Sequence, residues 1–197
     1  MLKVKIDFKS IIKKGIKSKN DDFLIALVNG KQGSGKTYYV VYAIEEIYKK
    51  PITVFTNIKS YCSLKNKVNY FSRIEELYNL NTTSSFVVID ECSRRWNKNS
   101  PIDTKFYAWL QQCRKNHRYV YLIFQEYMQV PNWLRGVASL SYTTKKLPLL
   151  PLMVTTLGIP TLTEDYEWGL TELALRIYKR NKYISKKYDT YETIEEL

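Results

Sequence analysis

Eight consecutive residues, Gly30-Lys31-Gln32-Gly33-Ser34-Gly35-Lys36-Thr37, constrain the fold of this chain more than any other stretch. Their spacing satisfies G-x-x-x-x-G-K-[ST], the phosphate-binding loop of nucleotide hydrolases. The motif is meaningful only between a strand and a helix. Here the apolar run Phe23-Leu24-Ile25-Ala26-Leu27-Val28 precedes it, and a helix-compatible stretch from Tyr38 to Lys49 follows. The glycines let the backbone turn so that successive N–H groups face an anion, and the positive end of the next helix adds to the field. Lys36 supplies an ammonium for the β- and γ-phosphates, and Thr37 a hydroxyl for Mg²⁺. Tyr38, next in the chain, is assigned to the same nucleotide contact. The expected ligands are ATP and Mg²⁺.

A second element belongs to the same chemistry. Phe86-Val87-Val88-Ile89 is a continuous apolar run, the pattern of a strand buried on both faces. It ends in Asp90-Glu91. A carboxylate at such a strand tip can hold the magnesium shell, which assigns Asp90 as the metal residue. Glu91 is then placed to polarise the attacking water as a general base.

The 197 residues suit one domain with an appendage, and 45% hydrophobic content allows a sizeable core. Cys62, Cys92 and Cys113 form no C-x-x-C pair and the chain has one histidine, so free thiols in a reducing compartment are expected and a zinc site is disfavoured. No run reaches the roughly 18 apolar residues of a membrane helix, and the basic N-terminus lacks the apolar core of a secretory signal. A soluble, intracellular protein is expected, docking on a membrane or particle only through a partner. The formal charge of +12 points to a polyanion, with nucleic acid the leading candidate. Residues 1–20 hold seven lysines against one aspartate. A second basic group, Arg176, Lys179, Arg180, Lys182, Lys186 and Lys187, is interleaved with Tyr178, Tyr183, Tyr188 and Tyr191. Rings beside cations can stack on bases or sugars.

Val4, Ile6 and Phe8 alternate with charged residues, which reads as an edge strand or an arm that binds a neighbour. A β/α alternation then begins. Strands are expected near 22–29, 52–57, 85–90, 120–124 and 137–143, and helices near 36–49, 71–80 and 104–116. Residues 144–165 hold three prolines and no clear period, so loop or irregular cover is expected there. Strands separated by helices imply a mostly parallel central sheet flanked by helices, a three-layer α/β fold. Ligands of such sheets bind beyond the carboxyl ends of the strands, where Gly30, Asn57, Asp90 and Gln125 are expected to converge. Three segments follow: a basic N-terminal arm over 1–20, a P-loop ATPase core over 21–143, and a C-terminal extension over 144–197 packed on or between core subunits.

Beyond the loop, four stretches carry a family pattern: Val87-Val88-Ile89-Asp90-Glu91-Cys92-Ser93-Arg94-Arg95-Trp96, Gln111-Gln112-Cys113-Arg114-Lys115-Asn116-His117-Arg118, Val120-Tyr121-Leu122-Ile123-Phe124-Gln125 and Val130-Pro131-Asn132-Trp133-Leu134-Arg135. Together they resemble the FtsK/HerA class of P-loop ATPases. Within it, residues 22–143 are similar to two groups: the zonular occludens toxin-like assembly proteins of filamentous phages and the short genome-packaging ATPases of icosahedral viruses. Thr56-Asn57-Ile58 and the terminal Tyr188-Asp189-Thr190-Tyr191-Glu192 share in the likeness. The resemblance implies a RecA-like core and Gln125 as the polar sensor touching the γ-phosphate or the water. It also implies a homo-oligomeric ring, usually hexameric, in which a neighbour's arginine completes each site. Arg114, Arg118 and Arg135 are the candidates for that arginine. His117 fits the family pattern, and a plain structural histidine fits equally. The filamentous-phage proteins usually carry a membrane-spanning segment after the ATPase domain; this chain shows none, which favours the packaging group.

The combined expectation is an ATP hydrolase that draws double-stranded DNA through a basic pore and packages a viral genome with a capsid or portal partner. It would work in the cytoplasm of the infected host cell or docked at the packaging vertex of the virion, without membrane insertion. Lysines and arginines hold phosphates without reading sequence, as a translocase requires. Arg94, Arg95, Lys98 and Lys105, after the Asp90 strand, are the candidate pore cations. The alternatives are a zonular occludens toxin-like ATPase for filamentous phage assembly or export, a P-loop kinase, and a module that binds nucleotide without turnover. The Asp90-Glu91 pair and Gln125 favour hydrolysis over transfer, and an intact Glu91 argues against a mere binding module.

Overall fold

The computed structural model describes residues 23–48, 51–63, 65–147, 150–165 and 167–188. The expected N-terminal arm over 1–20 and the tail with Asp189, Thr190, Tyr191 and Glu192 lie outside the described residues. Eight strands form one sheet: β1 (Leu24–Asn29), β2 (Thr53–Thr56), β3 (Lys67–Tyr70), β4 (Ser85–Ile89), β5 (Tyr119–Ile123), β6 (Leu140–Lys146), β7 (Leu152–Leu162) and β8 (Trp168–Lys179). They stand in the order β3-β2-β4-β5-β1-β6-β7-β8. Neighbours from β3 to β6 pair in parallel, and β7 pairs antiparallel with both β6 and β8.

The parallel strands are apolar on both faces because helices cover both. In β1, Leu24, Ala26 and Val28 enter one core layer while Ile25 and Leu27 enter the other. β4 divides in the same way, Phe86 and Val88 against Val87 and Ile89. The first layer is closed by α1 (Lys36–Tyr42), which continues as a π-helical turn over Ala43–Ile47. The second is closed by α2 (Thr104–Gln112), α3 (Asn132–Val137) and the 3₁₀ turn Ile74–Asn79. After β8, the short α4 (Lys182–Ser185) returns against α1, and Ile184 and Tyr188 join the first layer. This is the mostly parallel, helix-flanked α/β sheet that the β/α alternation implies.

The structure departs from the sequence pattern at three places. Residues 144–165 are not loop or irregular cover: most of them form the end of β6 and the eleven residues of β7. The prolines that mask the strand sit where they cost no ladder bond. Pro151 precedes β7, and Pro160 lies beyond Met153–Gly158, the stretch along which β7 pairs with β6, so only β8 flanks it. Strand β3 escapes notice because Lys67 and Asn69 make a half-exposed edge strand without alternation. Within the 71–80 stretch, Ile74–Asn79 form a 3₁₀ turn of six residues, started where the Glu76 carboxylate accepts from the Arg73 N–H at 2.9 Å and the Glu76 N–H donates to Arg73 O at 3.2 Å.

Candidate nucleotide site

β1, β4 and β5 run in one direction, so Gly30, Asp90 and Gln125 emerge at the same end of the sheet, with β5 lying between β1 and β4. Backbone bonds lock this end. The Gly30 N–H donates to Gln125 O at 3.1 Å. Asn57, just past β2, prolongs the ladder with its side chain: its Nδ2 donates to Asp90 O at 3.0 Å and its Oδ1 accepts from Asp90 N at 2.8 Å. Asn57 therefore fixes the main chain of the acidic tip.

Gly35 adopts φ 93 at the start of α1, a left-handed conformation that favours glycine, and a Cβ there would collide with the Met153 side chain of β7. No side chain caps α1, so its first N–H groups are left to a ligand. The Lys36 ammonium donates to Gly30 O at 2.8 Å and to Lys31 O at 3.3 Å. Burial lowers its pKa, and the carboxylates of Asp90 and Glu91 oppose that shift. The Thr37 hydroxyl donates to Asp90 Oδ2 at 2.9 Å. A hydroxyl and a carboxylate in contact beside a phosphate-binding loop are the hard oxygen donors that Mg²⁺ takes, so the residues present fit that ion.

Asp90 is 7% exposed, and burial raises its carboxyl pKa to about 6 against the bonds from Thr37 and the Glu91 N–H. The folded protein thus holds this proton more tightly than the unfolded chain. Its contribution to stability is full below the ordinary carboxylate pKa and is lost as pH rises through about 6. Asp90→Asn removes that dependence. In the absence of metal and nucleotide, urea unfolding near pH 8 should show the variant more stable than wild type by about 2–3 kcal/mol, a gain that vanishes near pH 4.

Glu91 has φ 55, in the left-handed region where a side chain is strained. Its N–H donates to Asp90 Oδ1 at 2.8 Å, and its carbonyl accepts from Arg94 N at 2.9 Å to open the 3₁₀ turn Cys92–Arg94. The strain sits next to Asp90, where bonds on both sides hold it. Gln125 is half-buried and lines a groove of about 650 Å³ together with Gly33, Ser34, Lys145 and Lys146.

Sequence reasoning missed the supports beneath the loop. Ser34 Oγ and Thr144 Oγ1 are 3.0 Å apart, Asn29 Nδ2 donates to Ser141 Oγ at 2.8 Å, and Thr143 Oγ1 donates to Asn29 Oδ1 at 2.8 Å. Their one trace in the sequence is a run of hydroxyls, Ser141, Thr143 and Thr144, which does not name its partners.

Other expected residues lie elsewhere. The Tyr38 ring is buried and stacked 6.4 Å from Tyr42, and its hydroxyl accepts from Asn181 N at 2.8 Å, so its side chain is engaged in packing, which leaves its backbone N–H for the expected nucleotide contact. Arg118 is buried, donating to Leu80 O at 2.5 Å and Thr82 O at 3.3 Å. Arg135 is buried too, donating to Trp168 O at 3.1 Å and Met128 O at 2.7 Å. Both are spent on their own fold, which corrects their candidacy as arginines reaching a neighbour's nucleotide. Arg114 is exposed, lies over the Phe23 ring, and precedes β5, at the end of the sheet opposite the loop. His117 (φ 49) makes the turn into β5, its N–H donating to Arg114 O at 3.2 Å. Arg135→Met should cost about 2–5 kcal/mol in urea unfolding, through two orphaned carbonyls and lost packing. A finger role predicts the reverse pattern, normal stability with a lost rate.

A glycine-rich loop at the exit of one strand, an acidic tip on a parallel strand and one strand between them define a RecA-like P-loop NTPase. The chain belongs to the zonular occludens toxin (Zot) family, whose profile matches residues 24–189. A search of curated protein sequences finds no significant match. Among solved structures, the N-terminal domain of zonular occludens toxin from Neisseria meningitidis is similar at TM-score 0.60 and 20% identity, covering 84% of this chain and 98% of that one. The genome-packaging NTPase B204 from Sulfolobus turreted icosahedral virus 2, in complex with ATP-γS, is similar at TM-score 0.53 and 12% identity, covering 81% and 98%. The RadB recombinase follows at TM-score 0.51 and 15% identity, covering 79% and 86%. At these identities the likeness is one of fold.

Proposed function

We propose that this chain hydrolyses Mg·ATP and couples hydrolysis to the movement of double-stranded DNA during virus assembly. The observation that carries the reading is the joining of Lys36, Thr37, Asp90 and Glu91 at one end of the sheet, with Thr37 bonded to Asp90. The loop amides and Lys36 orient the triphosphate. Thr37 and Asp90 would hold Mg²⁺, which would supply positive charge against the charge developing on the phosphates. Glu91 accepts a proton from the attacking water, and Gln125 hydrogen-bonds that water or the γ-phosphate. The water oxygen bonds to γ-phosphorus, the bond to the β–γ bridging oxygen breaks, and ADP carries away the electron pair.

Family membership and the likeness in fold to a packaging NTPase support this reading. Its first form is packaging of DNA into a capsid by a ring, usually hexameric, with a capsid or portal partner, in the host cytoplasm or at the packaging vertex. Its second is export in filamentous phage assembly, which the match to the zonular occludens toxin family favours. No helix among the described residues is long and apolar enough to cross a membrane. Of the three arginines considered for donation in trans, exposed Arg114 alone is retained.

Phosphate release measured with and without duplex DNA tests the proposal. Turnover that rises with DNA is expected. Turnover indifferent to DNA contradicts translocation, a requirement for a phosphoryl acceptor marks a kinase, and near-zero turnover marks a nucleotide-binding switch.

A further inference from the structure

The end of β8 and α4 build a second concave surface at the loop end of the sheet. A cleft of about 920 Å³ is lined by Lys179, Arg180, Lys182 and Lys186, with Asn181 and Ser185 between them, and no carboxylate among the described residues lines it. Its frame is fixed from below. Ile184 is fully buried, Arg180 N donates to Pro151 O at 2.8 Å, and Asn181 N donates to the Tyr38 hydroxyl at 2.8 Å. The Arg180 guanidinium donates to Ser185 Oγ at 3.0 Å and lies 5.8 Å from the centre of the Tyr38 ring. Four like charges held within eight residues repel one another, and a polyanion relieves that repulsion.

We propose that this cleft grips the phosphodiester backbone of DNA, as a track contact of the motor; it rests on the translocase reading above. A row of lysines and an arginine suits phosphate holding and not sequence reading, and the one amide in the lining, Asn181, has its Oδ1 occupied by the Tyr183 N–H at 2.9 Å. The basic loop after β4, the earlier candidate, is partly neutralised: Arg95 pairs with Glu75 at 2.9 Å and with Asp103 at 3.4 Å. The cleft also adjoins the nucleotide site through one residue, because Tyr38 follows Thr37 in α1.

The test is a fluorescence anisotropy titration with a labelled, mixed-sequence duplex oligonucleotide. Lys182 and Lys186 are exposed, so Lys182→Glu with Lys186→Glu should leave the melting temperature unchanged, which controls for the fold. The double variant should bind the duplex about tenfold or more weakly at about 0.1 M salt, and its log–log salt slope should fall by about two. The matched reversal Arg94→Glu with Lys98→Glu should have a smaller effect. Unchanged affinity and slope in the Lys182 and Lys186 variant, or a larger loss in the loop variant, overturns the inference while leaving the translocase reading in place. A wild-type chain that binds no duplex overturns both. Loss of binding to phosphatidylserine vesicles without loss of duplex binding assigns the cleft to a lipid surface and overturns it as well.

Discussion

Glu91→Gln should slow phosphate release from ATP by about 10²–10⁴-fold, the range that a positioned general base contributes, while Mg·ATP binding persists. The exchange is nearly isosteric. It leaves untouched the backbone bonds that hold the position, from Glu91 N to Asp90 Oδ1 and from Arg94 N to Glu91 O. A loss of rate without a loss of binding therefore isolates the proton acceptor. A second replacement separates strain from chemistry. Glu91→Gly removes the same carboxylate and also relieves the left-handed backbone, so it should gain about 1 kcal/mol of stability with the same loss of turnover. Stability that rises as activity falls marks strain held at a working residue. Full turnover in the glutamine variant would remove Glu91 from the mechanism.

Lys36→Ala should lower kcat/KM for ATP by about 10²–10³-fold, the cost of deleting one preorganised donor at developing charge. Both effects, binding and rate, are expected together, because the ammonium meets the phosphates in the ground state and in the transition state. The fold should change little, by less than about 1 kcal/mol in urea unfolding. Lys36 is a partly desolvated cation bonded to the carbonyls of its own loop, so its removal orphans no buried charge partner except through longer-range attraction to Asp90 and Glu91. Rate and affinity that survive the alanine would detach the loop from phosphate binding.

The phosphate-loop end of the fold is legible in the sequence because its pattern is local. The loop needs Gly35 next to Lys36, and the acidic tip needs a strand such as Phe86-Val87-Val88-Ile89 to lift it clear of the core. The supports are not legible, because they depend on distant strands. Thr144 lies 110 positions from Ser34, and nothing in either sequence neighbourhood announces the contact. Asn57 is visible as a strand end, but its grip on the Asp90 backbone emerges only once β2 and β4 are neighbours. The arginines mislead for the opposite reason. Arg118 and Arg135 carry the charge a finger needs, yet the fold consumes both as donors to its own carbonyls. Proline punctuation likewise hid β7, since Pro160 is tolerated where only one neighbour strand remains.

The most direct measurement is a crystal structure of the chain grown with Mg²⁺ and a non-hydrolysable ATP analogue. The triphosphate should rest on the amides of Gly33 to Lys36, with the ion between Thr37, Asp90 and the phosphate oxygens and with Glu91 facing the γ-phosphate. A nucleotide bound away from Lys36, or an ion without Thr37 and Asp90 beside it, would contradict the account.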